Sequence, residues 1–334
     1  MAQYKDPAGT IAILQYYETA RNDHELKLVA QIQTQYQGFT TFDTALLTAI
    51  SPDAYIDHIC IVTPCFEDPH FPKFFVLNVE SNAVLHEQTL EVLPNSSNAR
   101  PGVEGGSTQE GEEEAPKDNR EGNITCILVN DRPMPDDLKL KSKEEHEDIH
   151  EVFLGYESGA IGMFTVHLSR IEGAPIHVEH HVQIAPQRVM ADKSTRHVLT
   201  MLPIYVDPKS PTFKLAVGFY AKYIQIFDLM QSSVGESYVF MDQKRSDATY
   251  HEKPGISCLS AAVVKKNRQV LVQGGFDFRI RLFSAKTLKL LVNMKFHQNI
   301  VNQVYVERDP QNEDRIDIYS CSEDCYLAHW NLEV

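Results

Sequence analysis

Apolar and polar positions alternate in short bursts along most of the chain, and the bursts come in pairs separated by a few small or polar residues. Four segments share this grammar: FLGYESGAIGMFTV (153–166), LAVGFYAKYIQIFDL (215–229), LVQGGFDFRIRLFSA (271–285) and YSCSEDCYLAHWNL (319–332). Each holds an apolar stretch, a short turn, and a second stretch with apolar residues at every other position. A period of two with turn residues between predicts strand hairpins and excludes amphipathic helices. Aligned with one another, the second strands place Phe164, Phe227, Phe283 and Trp330 in one aromatic slot, with Ile161, Ile224, Ile280 and Leu327 three residues earlier. Six residues before the slot stand Asp277 and Asp324 in the turns of two repeats, and Ser158 and Ala221 in the other two.

The sequence between the hairpins completes a four-strand unit each time. ESYVFMDQ, GISCLSAAVV and QVLVQGG follow Phe227, and KLLVNMKFH, IVNQVYVE and IDIYSCS follow Phe283. Upstream, HICIVTP (58–64) and KFFVLNV (73–79) make the same hairpin with Leu77 in the slot. TIAILQYY (10–17) reads as one more second strand, with Leu14 in the slot and ELKLVAQI as its outer strand. Successive slots lie 63, 87, 63, 56 and 47 residues apart, so lengthened loops separate similar units. Repeated four-strand units of this kind predict an all-β fold, a propeller with a single domain over 1–334.

The last unit has the fullest set of polar markers. His297 precedes the inner strand, Asp324 lies in the hairpin turn, and Trp330 closes the third strand. With Ser320 or Ser322 this set resembles that of WD40 blades, which implies a hydrogen-bonded chain among them, and a buried Asp or His needs such partners. Asp277 holds the matching turn position one unit earlier. Their expected role is structural, in preference to a His–Asp catalytic pair.

The stretches GYESGAIGMF, VGFYAKYIQIFDL, GGFDFRIRLFSAKTLKLL and SEDCYLAHWNL resemble the ASTRA-associated WD40 proteins of fungi and the related animal G-protein-β-like WD repeat protein. The resemblance spans roughly residues 10–334. It implies a WD40-type β-propeller that serves as a non-catalytic, cofactor-free subunit of a chromatin-associated multiprotein assembly. That assembly takes part in the maturation of phosphatidylinositol-kinase-related kinases, and the implied location is the nucleus, extending to the cytoplasm. The family's first repeats have no counterpart here. About five or six blades of a seven-bladed pattern are therefore expected, in a ring incomplete at its amino-terminal side. In the competing arrangement, residues 10–17 pair with residues 326–332 and close the ring.

Bulk properties narrow the function classes. The formal net charge of −15 argues against general nucleic-acid binding, which needs a basic face for the phosphates. No apolar run is long enough to span a membrane, and the first residues lack the pattern of a secretory leader. The six cysteines (Cys60, Cys65, Cys126, Cys258, Cys321, Cys325) are scattered, and are expected to be mostly buried free thiols of a reducing compartment.

Two insertions interrupt the repeats. Residues 94–122 carry seven acidic residues against three basic, amid Pro, Gly and Ser. Such a composition buries too little apolar surface to offset its ordering entropy, so a disordered acidic loop is expected. A second charged insertion is expected over 131–148. Inside it, His146-Glu147-Asp148-Ile149-His150 matches H-E-x-x-H, the zinc-hydrolase motif. That chemistry requires two imidazoles one helical turn apart, a glutamate to activate water, and a third ligand. The motif abuts EVFLGYE, a predicted strand, and Phe153 and Tyr156 occupy the Gly and His positions of its extended form. No metal is therefore expected at 146–150, nor at His177, His180 and His181 in a predicted outer strand, nor at Cys321 and Cys325. A third reading, recognition of histone tails in a central channel, needs an acidic or aromatic cage that the sequence does not locate.

Overall fold

Every regular element among the described residues is a β-strand. The computed structural model describes residues 10–18, 24–33, 43–46, 58–65, 71–78, 83–89, 122–130, 147–169, 176–184, 197–205, 213–220, 224–228, 255–264, 268–309, 311–312 and 314–334. In chain order the strands begin with β1 (Thr10–Glu18), β2 (His24–Gln33), β3 (Asp43–Leu46), β4 (His58–Pro64), β5 (Pro72–Asn78) and β6 (Ala83–Thr89). There follow β7 (Ile124–Asn130), β8 (Glu147–Tyr156), β9 (Ile161–Ser169), β10 (His177–Ile184), β11 (Val198–Tyr205), β12 (Phe213–Phe219) and β13 (Ile224–Asp228). The last are β14 (Ile256–Val264), β15 (Arg268–Gly275), β16 (Arg279–Ser284), β17 (Leu290–Lys295), β18 (Val301–Arg308), β19 (Arg315–Ser322) and β20 (Leu327–Glu333).

Each strand pairs antiparallel with its chain neighbour. β3–β6, β7–β10 and β14–β17 make four-stranded sheets, β11–β13 and β18–β20 three-stranded ones, and β1–β2 a hairpin. The sheets stack in sequence through their first strands: β3 and β4 against β7, β7 against β11, β11 against β14, and β14 against β18.

The core is divided accordingly into four apolar clusters, one between each pair of successive sheets. Cys60, Val62, Phe74 and Val76 meet Ile124, Val152 and Leu154, and Phe153 and Ile161 meet Val198, Phe213 and Leu215. Ala216, Ile224 and Ile226 meet Ile256, Leu271 and Phe283, and Val272, Ile280 and Leu282 meet Val301, Val304 and Ile318. Fully burying each such aliphatic or aromatic side chain contributes roughly 1.5–3 kcal/mol. Alternation along the strands feeds both clusters: Val152 faces one way and Phe153 the other.

The hairpin alignment recurs in the register. Phe164 pairs with Val152, Phe227 with Leu215, Phe283 with Leu271 and Trp330 with Ile318. Three residues further along the same strands, Gly155, Gly218, Gly274 and Cys321 pair with Ile161, Ile224, Ile280 and Leu327. Bulges recur as well. In β7, β11, β14 and β18 the register shifts just after the first residue, at Ile124, Val198, Ile256 and Val301. The outer strands shift at the slot itself, opposite Leu77, Phe164 and Phe283, and β2 does the same opposite Leu14. Leu14 and Leu77 thus hold the same register position as the aromatic residues.

The glycines mark where one sheet meets the next. A β-carbon on Gly155 would lie 2.4 Å from Val198 Cγ1, one on Gly218 2.6 Å from Ile256 Cγ2, and one on Gly274 2.8 Å from Val301 Cγ1. The bare backbone therefore lets the first residue of the next sheet seat against it. The bulged hydroxyls tie the same seam: Thr125 donates to the Val198 carbonyl at 2.6 Å, and Ser257 donates to the Val301 carbonyl.

Three hairpin turns share one shape too. Gly159, Phe278 and Cys325, each four residues past the seam position, have φ of 87°, 67° and 66°. Their N–H groups donate to Tyr156, Gly275 and Ser322 carbonyls. Only glycine adopts this left-handed conformation freely.

Several expectations meet limits or corrections. Most of the 94–122 insertion, residues 131–146 including His146, and the ESYVFMDQ stretch lie outside the described residues. Glu147 and Asp148 belong to β8 rather than to the second insertion, because they pair with Ser169 and Leu168. Among the described residues β1 has β2 as its sheet partner and β20 has β19, so residues 10–17 and 326–332 are not paired with each other.

Candidate functional site

The most connected polar cluster described lies in the sheet β18–β20 and the segment leading into it. His297 has no exposed side-chain surface. Its Nδ1 stands 3.0 Å from Asp324 Oδ2, its Nε2 stands 2.9 Å from Ser320 Oγ, and Trp330 Nε1 reaches the same Ser320 oxygen at 3.4 Å. One proton assignment satisfies the whole chain: Trp330 donates to Ser320, Ser320 to His297 Nε2, and His297 Nδ1–H to the Asp324 carboxylate. The Phe296 ring lies nearly perpendicular to those of His297, Tyr326 and Trp330, at centroid distances of 5.3, 6.2 and 6.1 Å.

Asp324 also organises its own turn. The backbone N–H groups of Gln298 and Tyr326 donate to it at 2.8 and 3.0 Å. Burial pushes its carboxyl upward, but these two N–H groups and His297 outweigh burial and bring the pKa down to about 2. Ser322 takes a different part from Ser320. Its hydroxyl donates to the Asn299 carbonyl at 3.0 Å and accepts the Asp324 N–H at 3.2 Å. Sequence reasoning named both serines, and the structure brings only Ser320 into the His297–Trp330 chain.

Among the described residues the equivalent turn in β14–β17 shows no such chain. Asp277 is held by Arg281, whose Nη1 donates at 3.1 Å alongside a second contact through Nη2. The two side chains are 21% and 11% exposed, so the pair is partly solvated. Asp277→Ala is expected to cost about 1 kcal/mol or less in a urea melt, and a larger loss would place Asp277 in a buried network. The β8–β9 turn uses Ser158, whose hydroxyl accepts the Ala160 N–H at 3.1 Å.

The remaining sequence candidates are scattered. Glu147–His150 is strand, with His150 paired to Val166, and an extended backbone cannot set a ligand pair one helical turn apart. His177 pairs with His167 across β9–β10, their rings 5.5 Å apart, while His180 lies opposite Phe164 and the bulge passes over His181. All six cysteines are free; Cys60, Cys65, Cys126 and Cys258 are buried, Cys321 is half-buried and Cys325 exposed. Burial pushes the Cys258 thiol up to about 12, which keeps it protonated and unreactive.

Sequence reasoning did not find the outward face of β18–β20. Tyr305, Tyr319 and Leu327 are 56%, 42% and 82% exposed. The Tyr319 and His329 rings stack with centroids 4.7 Å apart and planes within 7°. Asp317 accepts from His329 Nε2 at 2.7 Å and Asn331 Nδ2 at 3.0 Å. Strand alternation could have revealed part of this face, since Tyr305 and Glu307 alternate with buried Val304 and Val306, and Asp317 and Tyr319 with buried Ile316 and Ile318.

No protein-family model matches the sequence, and no curated protein matches it. Similar solved structures include Sqt1 of Saccharomyces cerevisiae, with 10% identity, a TM-score of 0.49, and coverage of 98% of this chain and 67% of that one. The amino-terminal part of BBS1, solved in complex with ARL6, shows 11% identity and a TM-score of 0.46 over 88% of this chain and 66% of that chain. The computationally designed Ika4 protein shows 14% identity and a TM-score of 0.33 over 55% of this chain and 85% of its own.

Proposed function

We propose that the chain is a WD40-type β-propeller acting as a non-catalytic scaffold in a multiprotein, ASTRA-like assembly of the nucleus. The observation that carries this reading is the His297–Ser320–Asp324–Trp330 chain, set in a sheet whose register repeats through the units before it. The network ties the segment before the inner strand to the hairpin turn and the third strand, and so fixes blade geometry. The successive packing of first strands supports a radial stack, with blade edges and loops available to partners. Assignment to a chromatin-associated assembly that matures phosphatidylinositol-kinase-related kinases rests on the resemblance of the repeat segments to ASTRA-associated WD40 proteins. The scaffold needs no cofactor and no metal.

Affinity purification of the full chain with mass spectrometry, repeated without residues 95–121, tests the reading. The expected result is a reproducible set of co-purifying subunits, retained at least in part without the acidic insertion. Recovery of the chain alone overturns the scaffold. So does stoichiometric zinc that survives dialysis and disappears in His146→Ala, which restores the hydrolase alternative at 146–150.

A further inference from the structure

Equivalent positions in the stacked sheets have equivalent fates until the last sheet. Ile161, Ile224 and Ile280 are 0%, 0% and 1% exposed, each covered by the following sheet, whereas Leu327 in the same register is 82% exposed. Phe153, Ala216 and Val272, buried completely, correspond in the same way to Tyr319. The opposite face of β18–β20 packs normally, with Val304, Val306, Ile316 and Ile318 in the core and Trp330 and Leu332 against it.

The chemistry of this face differs from that of the covered ones. Two tyrosines lie side by side, Tyr305 and Tyr319, with ring centroids 6.3 Å apart. Glu307 and Asp317 pair in the next row of the same face, and Arg315, one row further, is engaged by Glu333 at 3.2 Å. Desolvation, and then the charges of Asp317 and Glu307, raise the Tyr319 phenol above its ordinary value, which marks a negative potential over the ring. His329 stacks on Tyr319 and Tyr305 flanks it, so a guanidinium or ammonium group meets the more exposed Tyr305 ring and the ring edges beside Asp317 and Glu307, where it gains both cation–π and charge–charge contact. A second copy of the chain is disfavoured, since each copy carries a formal charge of −15 and would present the same acidic face.

We infer that the outward face of β18–β20, built on Tyr305, Tyr319, Asp317, Glu307 and Leu327, docks a basic protein segment. Arginine or lysine side chains lie against Tyr305 and the exposed edge of Tyr319 and reach the carboxylates, and an aliphatic neighbour covers Leu327. The inference rests on the scaffold reading and names one of its partner surfaces.

The test uses the full chain and a short fluorescein-labelled peptide in which arginines alternate with leucine and serine. A twin peptide carries glutamate in place of arginine. Fluorescence anisotropy is expected to show binding of the arginine peptide that weakens with added salt, and none of the twin. The Tyr305→Ala/Tyr319→Ala double variant and Asp317→Asn are each expected to lose about tenfold or more in affinity, with an unchanged circular dichroism spectrum. Leu327→Ser, a change at an exposed position, is expected to weaken binding while leaving the melting temperature in place. Equal binding by the variants, or by the glutamate twin, overturns the inference. So does a dimer in sedimentation analysis that Leu327→Ser dissolves, because a second copy would then be the occupant. If the peptide fails while the chain still draws its protein set from cell extract, this face is wrong and the scaffold reading stands. A chain that draws nothing overturns both.

Discussion

Replacing His297 with alanine is expected to lower the unfolding free energy by about 2–4 kcal/mol, combining a cavity with two stranded polar partners. The imidazole is fully buried and joins Asp324 to Ser320; alanine leaves Ser320 with an unused donor and opens space beneath Phe296. Urea unfolding followed by the fluorescence of Trp330, the one tryptophan of the chain, reads the loss where it arises. An unchanged midpoint would mean that the chain of hydrogen bonds contributes nothing. Acid sharpens the same measurement. The folded carboxyl of Asp324 is depressed to about 2, below the unfolded value of about 3.9. Its contribution is therefore complete above the unfolded value and fades as the pH falls from about 4 toward about 2. Asp324→Asn should flatten that part of the melting-temperature profile, and an identical profile in the variant would remove Asp324 from the account.

Gly274→Val is expected to be the most damaging substitution between sheets, costing about 3 kcal/mol or more as an overpacked core. A β-carbon there would already lie 2.5 Å from Cys258 Sγ and 2.8 Å from Val301 Cγ1. Valine adds two methyl groups to a seam whose other side, Val301, is buried completely. Neither neighbour is a flexible side chain that can swing away, so the sheets must part. Thermal melts of Gly274→Ala and Gly274→Val should show a graded loss, alanine about 1–3 kcal/mol. Equal stability of all three proteins would show that the sheets slide freely past one another.

The hairpins were legible because alternation and turn residues act locally. Phe164, Phe227, Phe283 and Trp330 fall at one register position because equal turn lengths fix equal pairing. Leu14 and Leu77 were legible for the same reason, despite lacking an aromatic ring. First strands were harder to read. β3 has four residues, and β11 contains Pro203 in VLTMLPIY, which breaks the usual strand composition. Of the candidate site, His297, Ser320, Asp324 and Trp330 could be named because a buried acid and imidazole demand partners. The parting of Ser320 from Ser322 could not, since both alternate onto the inner side of β19 and only their depth separates them. The roles of Gly155, Gly218 and Gly274 were invisible, because a glycine's neighbour across a seam lies dozens of residues away. Alternation could place the tyrosines on the outward side of β18 and β19, but not their exposure, since exposure at the end of a stack belongs to no single strand.

The seam between sheets asks very little of the amino-acid alphabet. Three of the seams need only a residue without a side chain on one strand and a compact aliphatic one facing it, and even this is relaxed at Val62, which is buried in the glycine's register position. Everything between these points is free to lengthen, and the slots range from 47 to 87 residues apart without disturbing the register. Mutational drift can therefore rewrite nearly every letter, and insert whole segments, while the architecture persists. A chain assembled on such sparse rules can outlive any resemblance between its ancestors and itself that alignment could detect.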